Sequence, residues 1–291
     1  MKYAWMKRFS SRWPVRRMCR ALHVSSSGYY GWLRRVPSKR AQWRKHLREL
    51  IQESHERSHK VYGYRKIHKD LIEDYKVDCC KETVRRIMRA HFWRSTVRKR
   101  FVRTTDSTHE YAVADNILGG DFSVDRPDQV WVADITYIGT DSGWLYLAAI
   151  MDLYGRRIVG WSMSSRIDAK LVSNALGMAL VHRGTIRELV HHSDQGSQYC
   201  SDMYQDELKQ HGITCSMSRR GNCWDNACME SFFGSLKTEW ICDRKYATRE
   251  EAGKDIFFYI EVFYNRQRRH ASLGYVTPVE YEARYEQDHV A

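Results

Sequence analysis

Trp131-Val132-Ala133-Asp134-Ile135-Thr136-Tyr137-Ile138 is the stretch that decides the fold. Apolar, β-branched and aromatic residues fill it, so it reads as a buried strand. An aspartate nevertheless sits in its middle. A buried carboxylate needs a partner or a cation, because an isolated charge away from water is costly. The bland reading, a surface acid on an edge strand, leaves little polar face among Trp131, Ile135, Tyr137 and Ile138. Thr136, two residues on, shares the aspartate's face.

Two more acids stand in extended words of their own. Asp194 follows the apolar Leu189-Val190 in His191-His192-Ser193-Asp194-Gln195-Gly196-Ser197-Gln198-Tyr199. Ser-Asp-Gln-Gly is also plausible turn chemistry, but Gly196 permits close backbone approach. Glu230 lies in Trp224-Asp225-Asn226-Ala227-Cys228-Met229-Glu230-Ser231-Phe232-Phe233, which reads as a helix, and 35 residues separate it from Asp194. On that helix Asn226, Glu230, Gly234 and Lys237 share one face, beside an apolar stripe of Met229, Phe233, Leu236 and Trp240. Gly234 leaves room for a DNA backbone, and Lys237 is expected to reach a phosphate. Hard carboxylate oxygens suit Mg²⁺, with Mn²⁺ as substitute. Two such ions ~3.5–4 Å apart can clamp the attacking and leaving oxygens of a phosphoryl transfer. Asp134 is expected to bridge both ions, with Asp194 and Glu230 each on one. Asp152, at the end of the next strand, is expected to be a turn acid beside Arg156 and Arg157.

These words resemble the catalytic core of retroviral integrases and bacterial DDE transposases. They are most similar to the downstream-frame (OrfB) transposases of the "insertion sequence three" group. The likeness extends to Ser218-Arg219-Arg220-Gly221-Asn222-Cys223-Trp224-Asp225-Asn226-Ala227 and to Tyr264-Asn265-Arg266-Gln267-Arg268-Arg269-His270-Ala271-Ser272-Leu273, and it covers nearly the whole chain. The resemblance implies a metal-dependent DNA transposase. Such an enzyme cleaves the element's ends and joins them to another strand by transesterification. It also implies that the two ends are first joined into a circle, and that the active form is a fusion with an upstream-frame helix-turn-helix/leucine-zipper protein. No leucine heptad occurs here, so this chain is expected to lack that oligomerising part. A homo-oligomer on DNA is expected.

The fold class expected is α/β: a ribonuclease-H-like mixed five-stranded sheet flanked by helices, preceded by an all-α helix-turn-helix region. Strands are predicted at 129–138, 144–153 and 156–163 as an antiparallel meander, then at 187–192 and 213–217. Asp168 and Ser201 are predicted to cap the intervening helices. Thr248 and Thr277 each open a capping box. The predicted organisation is a DNA-binding region over 1–93, a linker over 94–125, the catalytic core over 126–245, and C-terminal helices over 246–291.

Charge is unevenly placed along the 291 residues. Residues 1–103 hold 29 Lys and Arg against 8 Asp and Glu, and residues 104–291 hold 19 against 27. A basic arm beside an acidic remainder fits an arm for duplex DNA and a separate core. Residues 14–35 are predicted as two short helices that turn at His23-Val24, the second capped by Ser25, followed by a charged helix over 38–58 and a second helix-turn-helix pattern from helices over 63–75 and 80–91. In the last, Val84, Ile87 and Met88 face inward, while Arg85, Arg86 and Arg89 face outward toward DNA. Arg219, Arg220 and Trp224, on a loop before the Glu230 helix, could steer or stack on DNA. Asn265, Arg268 and His270 lack metal spacing and either bind DNA or brace the core. Eight cysteines without a Cys-x-x-Cys pair argue against zinc. The absence of an 18-residue apolar run and of a signal sequence argues against a membrane partner and for a cytoplasmic, nucleoid-associated bacterial protein. Two rivals remain at this level. One is a nuclease that cuts without joining, and the other a DNA-binding regulator with a degenerate core.

Overall fold

The structure, a computed structural model, describes residues 1–95, 113–120, 122–184, 186–219 and 226–289. Contacts divide the chain into two compact units, residues 1–53 and 54–291. In the first, α1 (Lys2–Phe9), α2 (Val15–Ala21) and α3 (Ser26–Leu33) gather around Met6, Met18, Cys19 and Tyr29. Ser25 caps α3 by accepting from Gly28 N at 2.9 Å, as predicted. The helix α1 was not anticipated, because its eight residues are too few to display a helical period. The long α4 (Lys39–Arg57) runs across the division.

The second unit opens with α5 (Tyr64–Glu73) and α6 (Lys81–Ala90). Val84 and Met88 are buried on α6, while Arg85, Arg86 and Arg89 are exposed. On α5, Ile67 and Leu71 are buried as the helical spacing predicts, but so are His68 and Asp70. That second buried face exists because Arg269, far along the chain, pairs with Asp70, Glu73 and Asp74. The helix pair, grouped in sequence with the basic arm, therefore shares a unit with the sheet.

The sheet has the order β3-β2-β1-β4-β5. Strands β1 (Val130–Thr140), β2 (Gly143–Asp152) and β3 (Arg157–Ser164) form the expected antiparallel meander. Gly143 takes φ +103° at the first turn, a conformation side chains other than glycine's rarely adopt. After α7 (Ala169–Arg183), β4 (Val190–Ser193) returns parallel to β1 on its other side. The short α8 (Ser197–Cys200) and α9 (Asp202–Gln210) then lead to β5 (Thr214–Met217), parallel to β4. The core lies between sheet and helices, with Trp131, Ala148 and Ile150 against Val172, Leu176 and Tyr204. Helix α7 approaches β3 so closely that a Cβ at Gly160 would lie 2.2 Å from Ala175 O.

Next come α10 (Ala227–Ser235), which continues as a π-helical turn over Leu236–Ile241, and α11 (Arg249–Phe257). A second π turn spans Phe258–Tyr264, and α12 (Pro278–His289) ends the described chain. Thr277 forms the complete capping box: its hydroxyl accepts from Glu280 N, and Glu280 accepts from its N–H. Neither π turn was predicted, since both continue an amphipathic helical pattern without a break.

Asp152 is a structural acid, as expected, although its partner is Arg183 and not Arg156 or Arg157. It is wholly buried, accepts from Asp128 N and Tyr154 N at 3.0 Å, and lies 3.4 Å from Arg183 Nη2. Arg183 also holds Glu282 of α12, 2.5 Å away. Burial, with Glu282 and Asp128 close by, pushes the Asp152 carboxyl up from 3.8 to about 7, against the opposing pull of Arg183. The folded state thus keeps a proton that the unfolded chain releases at lower pH. Its contribution is fully present below the ordinary carboxyl range and is lost as pH rises toward 7. Denaturant midpoints measured across pH 4 to 7 should therefore fall more steeply for the wild type than for Asp152→Asn; parallel profiles would contradict this assignment.

Candidate active site

Asp134 and Asp194 are brought together by strand pairing. The parallel register runs Val130 to Val190, Trp131 to His191 and Val132 to His192. Asp134 and Asp194 each stand two residues past the last pair of that register. Both acids are half-buried at the end of β4. Asp134 Oδ1 accepts from Ile135 N at 2.7 Å, and Asp194 Oδ1 from Gly196 N at 3.0 Å. A Cβ at Gly196 would stand 3.0 Å from the same Asp194 oxygen and from Gln198 Oε1, so a larger residue there would crowd both side chains.

Tyr199, on α8, is the residue that sequence reasoning missed. It is 2% exposed, and its hydroxyl finds no hydrogen-bond partner among the described residues. Burial first, then the charges of Asp134, Tyr204 and Asp194, push its phenol well above the ordinary value. One buried hydroxyl therefore sits in the field of both aspartates. The only signal in sequence was its place five residues after Asp194, on what reads as a loop.

Asn226 and Lys237 bracket Glu230 on the third element. Asn226, at the start of α10, donates from Nδ2 to Ala133 O at 3.0 Å, next to Asp134. The Lys237 ammonium lies 4.9 Å from the ring centroid of Tyr137, further along the same strand. The eleven residues from Asn226 to Lys237 span ~16 Å of helix, and the four from Ala133 to Tyr137 span ~13 Å of strand. The helix thus lies along β1, with Glu230 one turn past its tether and exposed. Of the predicted face of Asn226, Glu230, Gly234 and Lys237, the two ends meet β1 while Glu230 stays exposed. Lys237 is half-buried; burial lowers its pKa, while Tyr137 and Asp134 act in the opposite direction.

The donor set suits a hard cation at Asp134 and Asp194: both offer carboxylate oxygens, and the unbonded buried hydroxyl of Tyr199 lies in the field of both. As they stand, no three His, Cys, Asp or Glu side chains among the described residues are grouped closely enough to hold a metal. Glu230 shares this end of β1 without closing onto the pair.

The remaining candidates separate. Asn265, Arg268 and His270 are buried. Asn265 bonds the backbone of Ile158 in both directions at 3.0 Å, and Arg268 grips Glu239 with two contacts of 2.6 Å. His270 is kept neutral by burial and by Arg268 and Lys66. Of the two readings left open for this word, bracing the core is the one its geometry carries. Arg85 and Arg86 are exposed and paired with Glu82 on their own helix, contacts too solvated to hold them from a phosphate. Arg219 is exposed after β5, while Arg220 and Trp224 lie outside the described residues.

Comparison with known proteins gives the family of the chain. The integrase core domain family matches residues 124–223 and again 211–278, and an HTH-like domain family matches 42–101. A protein of Escherichia coli strain K12 called transposase InsF for insertion sequence IS3A is 40% identical over 285 residues, covering 97% of this chain and 98% of its own. An uncharacterized 31 kDa protein of insertion element IS600 from Shigella sonnei is 42% identical over 270 residues, covering 93% and 99%. Among solved structures, the catalytic core of BIV integrase aligns at 17% identity and TM-score 0.42 over 56% of this chain and 99% of its own. The HTLV-2 integrase core in complex with magnesium aligns at 15% identity and TM-score 0.42, over 54% and 97%.

If Lys237 places DNA beside Asp134, Lys237→Ala should slow DNA joining roughly 10- to 100-fold, the range for losing one charged hydrogen bond. Lower salt should partly restore the rate, and Lys237→Arg should keep much of it. Wild-type rates for Lys237→Ala at every salt concentration would remove the residue from the site.

Proposed function

We propose, on the premise that this chain belongs to the family of IS3 transposases, that it cleaves element ends and joins them to DNA at Asp134, Asp194 and Glu230. The observation that supports the proposal is the parallel β1–β4 register, whose last pair, Val132 with His192, stands two residues before each aspartate. Asp134, Asp194 and Glu230 would hold one or two divalent ions, with Mg²⁺ favoured by the all-oxygen donor set. Such ions, when bound, supply charge stabilisation and an activated oxygen for phosphoryl transfer.

The chain's own residues do the rest. Asn226 tethers the acid helix to β1. Tyr199 keeps a buried hydroxyl close enough to feel the charge of both aspartates, a donor available to a bound ligand or water. Lys237 and the exposed arginines of α6 hold phosphates. The reaction is an exchange of phosphodiesters in two displacements. Water first attacks the phosphorus at the element's end and leaves its 3′-hydroxyl. That hydroxyl then attacks a phosphorus of a second strand and expels its 3′-oxygen. Neither displacement needs a protein nucleophile. Duplex DNA is the substrate and partner, in keeping with the HTH-like match. Homo-oligomerisation on DNA and fusion to an upstream-frame protein remain part of the proposal. No helix of the described residues is long and apolar enough to cross a membrane.

Asp134→Asn, Asp194→Asn and Glu230→Gln are each expected to lower cleavage and joining by about three orders of magnitude or more, because one missing ligand disrupts the metal clamp. Duplex affinity, measured by gel shift, should hardly change. A plain nuclease would cut and not join, so a strand-transfer assay separates that rival from the proposal. Near-normal joining by any of the three variants would strike that residue from the site.

A further inference from the structure

Arg268 and Arg269 are adjacent in sequence, and each reaches a different element. Arg269 Nε lies 2.6 Å from Asp70 Oδ1, and its Nη2 2.7 Å from Asp74 Oδ1. Its Nη1 contacts Glu73 and donates to Tyr275 O at 2.9 Å. Its backbone N–H donates to the Tyr62 hydroxyl at 2.7 Å, which donates in turn to Gln267 O at 2.8 Å. Arg268 turns to Glu239 in the π turn that extends α10, and its Nη2 is 3.3 Å from Ser235, the last residue of α10. Two smaller contacts bridge the same junction. Lys66 of α5 is withdrawn from water beside Arg268 and Glu239, and the His59 ring meets Trp240 edge-on at 4.7 Å.

The charges of α5 make sense only with this junction. Asp70, Glu73 and Asp74 are three of the eight acids in residues 1–103, the basic stretch. Acids on a helix of a DNA-binding arm would repel phosphate if they faced it. Instead Asp70 is 1% exposed, bonded by Ser54 Oγ at 2.6 Å and by Arg57 at 3.3 Å in addition to Arg269. A buried carboxylate held by a guanidinium fork admits few alternative geometries. The fork therefore fixes α5, and with it α6, against the segment that braces the acid helix.

We infer that Arg269 couples DNA engagement at α6 to the setting of Glu230 on α10, through its junction with Asp70 and Asp74 on one side and the Arg268–Glu239 pair on the other. Arg269 is a positioning residue, since it touches neither the acids nor the substrate. The inference rests on the proposed function for the roles of α6 and α10. A single π turn is a common feature of functional helices, and here it is the point where Arg268 takes hold of the acid helix.

The test compares the full chain with Arg269→Ala, Arg269→Lys and Asp74→Asn. The probes are a duplex bearing the terminal sequence that borders the gene and a scrambled duplex of equal length. Duplex affinity, joining rate, and amide exchange across residues 227–241 with and without duplex are measured. Arg269→Ala should bind the terminal duplex within about threefold of wild type yet join it at least about tenfold more slowly, a usual size for coupling between sites. Its joining of the scrambled duplex should stay near wild type, and duplex should no longer slow exchange across 227–241. Arg269→Lys should fall between, because an ammonium cannot replace a fork. Should Arg269→Ala fail to fold, Asp74→Asn, at a carboxylate 34% exposed, carries the same readouts. Wild-type joining with duplex-induced protection retained would overturn the coupling, and so would equal losses on both duplexes. A wild-type chain that joins neither duplex would instead sink the proposed function, and the exchange measurement would still decide the coupling.

Discussion

Everything at the candidate site depends on the pairing of β1 with β4. The meander alone would leave Asp134 as a lone carboxylate inside an apolar strand. The return of the chain through α7 to the far side of β1 changes that, because β4 pairs in parallel and ends where Asp134 begins to need a partner. The register is in turn held by packing. Trp131 and Ala133 on β1 share a core with Leu176 and Tyr204, and Gly160 lets α7 sit within backbone contact of β3. A slip of one residue would turn the whole strand over and carry Asp134 to the opposite face.

Buried arginines are the second organising element. Arg183 ties α7 to Asp128, Asp152 and Glu282. Arg268 ties the C-terminal segment to the π turn behind α10, and Arg269 ties it to α5. Arg183 and Arg269 each serve three carboxylates and Arg268 grips both oxygens of Glu239, which a lysine ammonium could not do with fixed geometry. The C-terminal word read as a DNA contact or a brace is in this way a structural clasp, with Asn265 bonded to Ile158 from both ends of its amide.

Much of this could be read from residues alone. The five strands lie within a few residues of their predicted positions, because alternation and turn signals are local. Asp168, Thr248 and Thr277 cap their helices as their side chains require. The candidacy of Asp134 and Asp194 came from extended words and not from periodicity. What stayed hidden was non-local. The burial of Asp70 depends on an arginine 199 residues away. Tyr199 comes into the field of both aspartates only when α8 buries it, and the π turns leave no composition signal. Lys237 was expected on an open face, yet its ring partner Tyr137 comes from a strand whose proximity no helical wheel reveals.

The central claim is that the aligned aspartates hold hard cations. Crystals of the full chain soaked in Mn²⁺ and measured at a wavelength where manganese scatters anomalously would test it directly. The account predicts an anomalous peak within oxygen-ligand distance of both Asp134 and Asp194, with the Glu230 carboxylate drawn toward it, and loss of the peak in Asp194→Asn. Crystals that bind Mn²⁺ elsewhere, or an Asp194→Asn variant that keeps the peak unchanged, would contradict it.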